Sequence, residues 1–190
     1  MQEGNGIRKE WEEIYKEYFV RVINFSKICI PEHQDSLSRV IIIPQGFTVD
    51  MVVKAYRQII EVYCSDFEFN YDVENIDSEV YMNDRAPAGR SYAVRVHDLV
   101  EPEKKLKNIS ADQLSKKCFQ GITLLERLVY GLKYFSETRQ HLDIDRCTLC
   151  SGSRNINNKV PVVSWNEAIE YDDNDRDEAC ISIFFENSDE

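Results

Sequence analysis

The chain has 190 residues, of which 43 % are hydrophobic and 30 % are charged, and its formal net charge is −11. This length and composition fit one soluble globular domain, and the acidic balance argues against direct nucleic-acid binding, because affinity for phosphate backbones comes largely from Lys and Arg. The longest apolar run, residues 40–43, is far shorter than the ~20 residues of a membrane-spanning helix. The N-terminus lacks the apolar region of a secretory signal, so we expect a cytoplasmic, bacterial-type protein without membrane contact.

The first quarter of the chain predicts one helix and one buried strand. Apolar residues recur on a single helical face over residues 7–26. These residues are Trp11, Tyr15, Tyr18, Val22 and Phe25. After a loop at residues 31–38, a β-branched run at residues 39–43 predicts a strand that stops at a Pro-Gln-Gly turn. The loop leaves open whether residues 1–30 belong to a single domain of residues 1–190 or form an appendage to an α+β core at residues 39–190.

Two further helices have recognisable starts. Thr48 is placed as the N-cap of a helix whose apolar face continues to Tyr63. Thr123 and Glu126 have the spacing of a capping box, and the apolar face that follows predicts a helix to about Thr138. The predicted core residues on this last helix are Leu125, Leu128, Leu132 and Phe135.

Several shorter elements complete the pattern. Period-two alternation predicts strands at residues 67–73 and 91–97, a turn is expected at residues 75–78, and Ser110 is expected to begin a short helix. Further strands are predicted at residues 144–149, 160–165, 167–171 and 181–185. Because helices and strands do not alternate regularly, we expect an α+β fold rather than a doubly wound parallel sheet. Three main helices would pack on a mixed or antiparallel sheet, with a strand-rich C-terminal third.

The C-terminal segment carries most of the negative charge. Residues 167–190 hold ten carboxylates and one cation, Arg176, which gives −9 of the total −11. Because acidic residues alternate there with large apolar ones, we expect a folded edge that presents charge to a protein partner, with basic groups as the matching chemistry. The predicted contact loops are residues 151–159 and 172–178. The candidate partner-binding residues are Asn155, Asn157, Asn158, Tyr171, Asp172, Asp173, Asp175 and Asp177. Trp165 is either an aromatic anchor beside Tyr171 or a core residue.

Metal and catalytic chemistry have only weak signals. Cys147 and Cys150 have zinc-knuckle spacing, but a structural zinc needs four ligands and no second close pair of cysteines exists, so His141 or other cysteines would have to contribute. A redox pair and two reduced thiols are the alternatives. His141, Asp143 and Asp145 would share one face of an extended segment, as a metal site or general base could, or His141 could cap the preceding helix. We expect no zinc, no cofactor and no enzymatic activity.

Several segments together resemble a known group of sequences. They are SYAV, LKNISADQL, GITLLERL, KYFSET, HLDI, TLCSGSR and VPVVSW, between residues 91 and 165. The chain resembles a group of small bacterial proteins, often present in several copies per genome, that have no established function. The resemblance implies a constant scaffold with a more variable surface after TLCSGSR, and it implies no activity.

Three functions follow as hypotheses. The first is a non-enzymatic binding module that presents the acidic loops to a protein partner. The second is a nucleic-acid mimic that inhibits a nucleic-acid-binding enzyme, since spaced carboxylates can occupy a basic channel. The third is a zinc-stabilised domain or metal-dependent enzyme built on Cys147, Cys150 and His141.

Overall fold

The structure is a computed structural model that describes residues 2–34, 36–66, 71–72, 75–166, 170–172, 175–176 and 180–189. Within these residues the α-helices are α1 (Gln2–Phe19), α2 (Val49–Tyr56), α3 (Ile76–Glu79), α4 (Ala111–Lys116) and α5 (Leu124–Thr138). The strands are β1 (Arg39–Ile43), β2 (Glu61–Asp66), β3 (Tyr71–Asp72), β4 (Met82–Asn83), β5 (Tyr92–Val96), β6 (Cys147–Leu149), β7 (Ser153–Arg154), β8 (Val160–Asn166), β9 (Glu170–Asp172), β10 (Asp175–Arg176) and β11 (Cys180–Glu186).

The main sheet has five strands in the order β3-β2-β11-β8-β6. Strand β11 pairs parallel with β2 and antiparallel with β8, so the sheet is mixed. Three two-stranded antiparallel pairs accompany it, namely β1–β5, β4–β7 and β9–β10. The predicted α+β class with helices on a mixed sheet is therefore confirmed.

Helix α1 is attached to strand β1 by side-chain hydrogen bonds. The indole of Trp11 donates to the carbonyl of Val40 at 3.2 Å, and the hydroxyl of Tyr15 donates to the carbonyl of Ile42 at 2.6 Å. The spacings match, because residues four apart on a helix are separated by about 6 Å along its axis and residues two apart on a strand by about 6.7 Å. Both aromatic rings are buried in the same apolar cluster as side chains of α2, α5, β8 and β11.

Helix α5 runs through the centre of this cluster. Its N-terminus has the predicted capping box, in which the Thr123 hydroxyl accepts from the Glu126 N–H and the Glu126 carboxylate accepts from the Thr123 N–H. Three of the predicted core leucines are buried, Leu125, Leu128 and Leu132. Phe135 is only half-buried, so its place in the core was overestimated.

Two predicted helix ends and one predicted turn were wrong. Helix α1 ends at Phe19 instead of continuing to residue 26, because Val20 adopts a positive φ of 53°, and Val22 is consequently 91 % exposed. Helix α2 ends at Tyr56, and the chain that follows joins the sheet as β2, because its β-branched and aromatic residues pair with β11. The turn expected at residues 75–78 is the one-turn helix α3, whose N-cap is Asn75.

Candidate binding surface

The acidic part of the chain forms the connection between two neighbouring strands of the main sheet. Strand β8 ends at Asn166 and its antiparallel partner β11 begins at Cys180, so residues 167–179 connect adjacent strand ends. We call residues 167–179 the acidic segment; it contains seven carboxylates and one cation, Arg176. The described parts of this segment are strands β9 and β10, which pair antiparallel. The predicted strand at residues 167–171 thus corresponds to β9, at residues 170–172, and its first three residues lie outside the described part of the chain.

The backbone register brings like charges together. Asp175 is paired with Asp172, and Arg176 is paired with Glu170, with a shift of register between the two pairs. Like charges directly opposite each other in an antiparallel pair are destabilising, whereas an opposite-charge pair is favourable. Of the predicted partner-binding residues, Tyr171, Asp172 and Asp175 therefore lie on this β9–β10 pair. Asp173 and Asp177 lie outside the described residues.

An aromatic stack lies at the base of the acidic segment. Trp165, one residue before the end of β8, stacks on the imidazole of His141 with ring centroids 3.7 Å apart and an angle of 3° between the planes. His141 also stacks on Phe135 at 4.9 Å. Trp165 is half-buried and packs against the apolar cluster. It therefore contributes to the core, which was one of the two roles that the sequence left open.

His141 is held as a neutral group. Burial, and secondarily the positive charge of Arg127, lower the pKa of His141 from 6.5 to about 4. The imidazole therefore supplies no positive charge beside the acidic segment at neutral pH. The alternative in which His141 caps α5 does not fit the structure, because the C-cap residue is Arg139 in the left-handed conformation, with φ of 59°.

His141, Asp143 and Asp145 do not share one face of a strand. Asp143 has a positive φ of 61°, which interrupts the extended backbone, and β6 begins only at Cys147. Asp143 is buried and accepts from the guanidinium Nε of Arg127 at 2.9 Å and from the hydroxyl of Thr148 at 2.8 Å. Asp145 is exposed. Asp143 is therefore the buried counter-ion of Arg127, a role that the sequence analysis missed. The available signal was an arginine within the apolar helix at residues 124–132.

The two cysteines differ in exposure. Cys147 is exposed and Cys150 is fully buried. Complete burial raises the pKa of the Cys150 thiol, and partial desolvation of the Cys147 sulfur, together with the charge of Glu186, raises the pKa of that thiol as well. Both environments thus favour the protonated thiol, whereas zinc binding and redox chemistry use the thiolate. Within the described residues no three His, Cys, Asp or Glu side chains form a group that could hold a metal ion, and this includes Cys147, Cys150 and His141.

The asparagine loop that precedes β8 lies away from the acidic segment. Asn155 is 2 % exposed, and its side-chain oxygen accepts from the N–H groups of Asn157 and Lys159 at 2.9 and 2.8 Å. It therefore shapes the loop and is not available to a partner. Asn157 is exposed, and Asn158 donates to the Ser188 hydroxyl at 2.7 Å. This loop enters β8 and the acidic segment leaves it, so the two are attached to the sheet at opposite ends of a seven-residue strand, about 20 Å apart.

Comparisons with protein families, with curated proteins and with solved structures find no match to this chain. None of the helices in the described residues is long and apolar enough to cross a membrane.

Proposed function

We propose that this protein is a non-enzymatic binding module that presents its acidic segment to a basic surface on a protein partner. The observation that carries the proposal is the pairing of Asp172 with Asp175 in the β9–β10 register. Like charges directly opposite each other in an antiparallel pair cost stability, and cations from a partner relieve such repulsion.

The position of the segment supports the same function. The acidic segment connects the adjacent ends of β8 and β11, so it is anchored at both ends. These two strands are fixed by the buried side chains of Val163, Ile181 and Ile183. The charges are therefore carried by a part of the chain with a fixed origin on the sheet, which limits the entropy lost on binding. Concentrated negative charge also speeds the encounter with a basic partner, and salt weakens this effect.

Affinity capture with charge-matched baits tests the proposal. The first variant carries Asp172→Asn, Asp173→Asn, Asp175→Asn and Asp177→Asn. The control variant carries Glu13→Gln, Glu17→Gln, Glu32→Gln and Asp145→Asn, at four exposed positions elsewhere. Both variants have a net charge of −7, so they differ only in where the charge was removed.

We expect at least one protein from a lysate of the source cells to be retained by the parent and by the control but lost from the acidic-segment variant. Its retention should also fall between low and moderate ionic strength. If added nucleic acid displaces the captured protein, the partner is a nucleic-acid-binding protein and the module acts as a mimic. The same set of captured proteins on all three baits would refute the proposal.

A further inference from the structure

A cleft lies at the far end of the β8–β11 pair from the acidic segment. It has a volume of about 320 Å³ and is bounded by α4, the β4–β7 pair and the loop that contains Asn158. Asn158 comes two residues before Val160, which pairs with Glu186, whereas the acidic segment leaves the sheet at the Asn166–Cys180 pair. The volume falls at the lower end of the range for ligand pockets in proteins, about 300–1,000 Å³.

The back wall of the cleft is fixed by close backbone contacts. The N–H of Gly152 donates to the carbonyl of Ile122 at 3.0 Å, and the N–H of Asp84 donates to the carbonyl of Gly152 at 2.9 Å. A Cβ atom on Gly152 would lie 2.7 Å from the carbonyl oxygen of Gly121, so only glycine fits at this position.

Side-chain hydrogen bonds brace the same wall against helix α5. Arg85 donates through Nε and Nη2 to the fully buried carboxylate of Glu126, at 2.7 Å each, and to the carbonyl of Gly121 at 2.6 Å. The hydroxyl of Ser153 accepts from the N–H of Leu124 at 2.9 Å. The cleft is therefore formed before any ligand arrives, which reduces the conformational cost of binding.

The polar groups of the cleft fit a cation beside a peptide backbone. Asp84 and Asp112 both line it, and the charge of Asp84 also acts on the neighbouring Arg85, whose pKa it helps to raise. Arg154 is oriented by its Nη1, which donates to the carbonyls of Ser151 and Ser153 at 2.7 and 2.9 Å. Its remaining N–H groups can donate to carbonyl oxygens of a bound chain.

The apolar groups of the cleft fit a hydrophobic side chain. Met82 and Phe119 line the cleft and are 42 % and 44 % exposed, while Leu114 at its floor is buried. Phe119 is held in place because its N–H donates to the carbonyl of Leu114 at 3.0 Å. Exposed Met and Phe beside a concave surface are typical of protein-binding sites.

From this combination we propose that the cleft binds a short peptide segment of a partner protein, with a Lys or Arg next to an apolar residue. The basic side chain pairs with Asp84 and Asp112, and the apolar side chain packs against Phe119 and Met82. Phosphorylated ligands and nucleic acids are disfavoured by the two carboxylates. This site does not depend on the acidic segment, so the protein would have binding surfaces at both ends of the β8–β11 pair.

Selection from a phage library of random heptapeptides against the full chain tests the proposal. We expect enriched peptides to contain Lys or Arg next to Leu, Ile, Met or Phe. A synthetic copy of the most enriched peptide is then titrated against purified variants whose thermal unfolding confirms that they are folded. Combining Asp84→Asn with Asp112→Asn should weaken binding about tenfold, as should Phe119→Ala.

Matched controls locate the effect at the cleft. The pair Glu13→Gln and Glu32→Gln removes the same charge elsewhere, and Ile156→Ala removes an apolar side chain that is 73 % exposed outside the cleft. These controls, and the four-residue acidic-segment variant, should bind the peptide as the parent does. The proposal is overturned if no basic–apolar motif is enriched, or if the cleft variants and the controls bind the peptide equally well.

Discussion

At the scale of single residues, Gly152 determines how closely the turn that precedes β7 approaches the start of α5. Replacing it with alanine places a Cβ atom 2.7 Å from the Gly121 carbonyl oxygen and 3.1 Å from the Ile122 backbone, and backbone atoms cannot rotate away as a side chain can. We predict that Gly152→Ala lowers the free energy of unfolding by about 1–3 kcal/mol.

Gly89 provides the matched control for this measurement by chemical denaturation. A Cβ atom there meets nothing within 4 Å, and the residue does not have a positive φ. Gly89→Ala should change stability by no more than about 0.5 kcal/mol. Equal stability of the two variants would show that the turn does not require glycine at position 152.

His141 is predicted to make stability depend on pH. Its pKa is about 4 in the folded protein and 6.5 ordinarily, so between these values the unfolded chain binds a proton that the folded protein does not. Stability contributed by the neutral ring is therefore complete above pH 6.5 and is lost as the pH falls toward 4. His141→Phe retains a ring between Trp165 and Phe135 and should reduce the loss of thermal stability over this range.

The exposed residue His33 serves as the control, and His33→Phe should follow the parent's pH dependence. Melting temperatures measured at intervals between pH 4 and 7 give the comparison. If the parent and His141→Phe lose stability in parallel over this range, His141 is not the group responsible.

At the scale of secondary-structure elements, helix α1 depends on hydrogen bonds to the backbone of β1. Tyr15→Phe leaves the carbonyl of Ile42, a residue that is 0 % exposed, without the Tyr15 donor. We predict a loss of about 0.5–1.5 kcal/mol in the free energy of unfolding, the net contribution of one buried hydrogen bond. Tyr81→Phe, at a side chain that is 56 % exposed, should be nearly neutral. Similar stabilities for these two variants would mean that the hydroxyl of Tyr15 does not stabilise the helix on the strand.

Elements with local signals were predictable from the sequence. Thr48, Ser110 and Thr123 each begin a helix and accept the hydrogen bond expected of an N-cap. Residues 61–63 were predicted as the end of a helix, because their place in the sheet depends on parallel pairing with β11, which begins more than a hundred residues later. A pattern within a short window contains no information about so distant a partner.

The candidate site was predictable only in part. The acidic composition directed attention to the C-terminal segment, and the structure describes β9 and β10 there. The separation of the asparagine loop from that segment could not be predicted, since it follows from the length and direction of β8. The cleft at the other end was missed because Asp84, Phe119 and Arg154 come from three distant parts of the chain.

At the scale of the whole molecule, the charge is concentrated on one part of an otherwise nearly neutral chain. Residues 167–190 account for −9 of the net charge of −11. Arg127 is already paired with buried Asp143, and His141, at the base of the acidic segment, is neutral. This charge should therefore lower the stability of the isolated protein and stabilise a complex with a cationic partner.

Thermal unfolding at low ionic strength, with and without an oligolysine peptide, measures both effects of the charge. Without the peptide, the variant with Asn at positions 172, 173, 175 and 177 should be as stable as the parent or more stable, because repulsion is removed. With the peptide, the melting temperature of the parent and of the charge-matched control should rise, and that of the acidic-segment variant should rise less. The account is contradicted if this variant unfolds more readily than the parent in the absence of peptide, or if the peptide stabilises it as much as the charge-matched control.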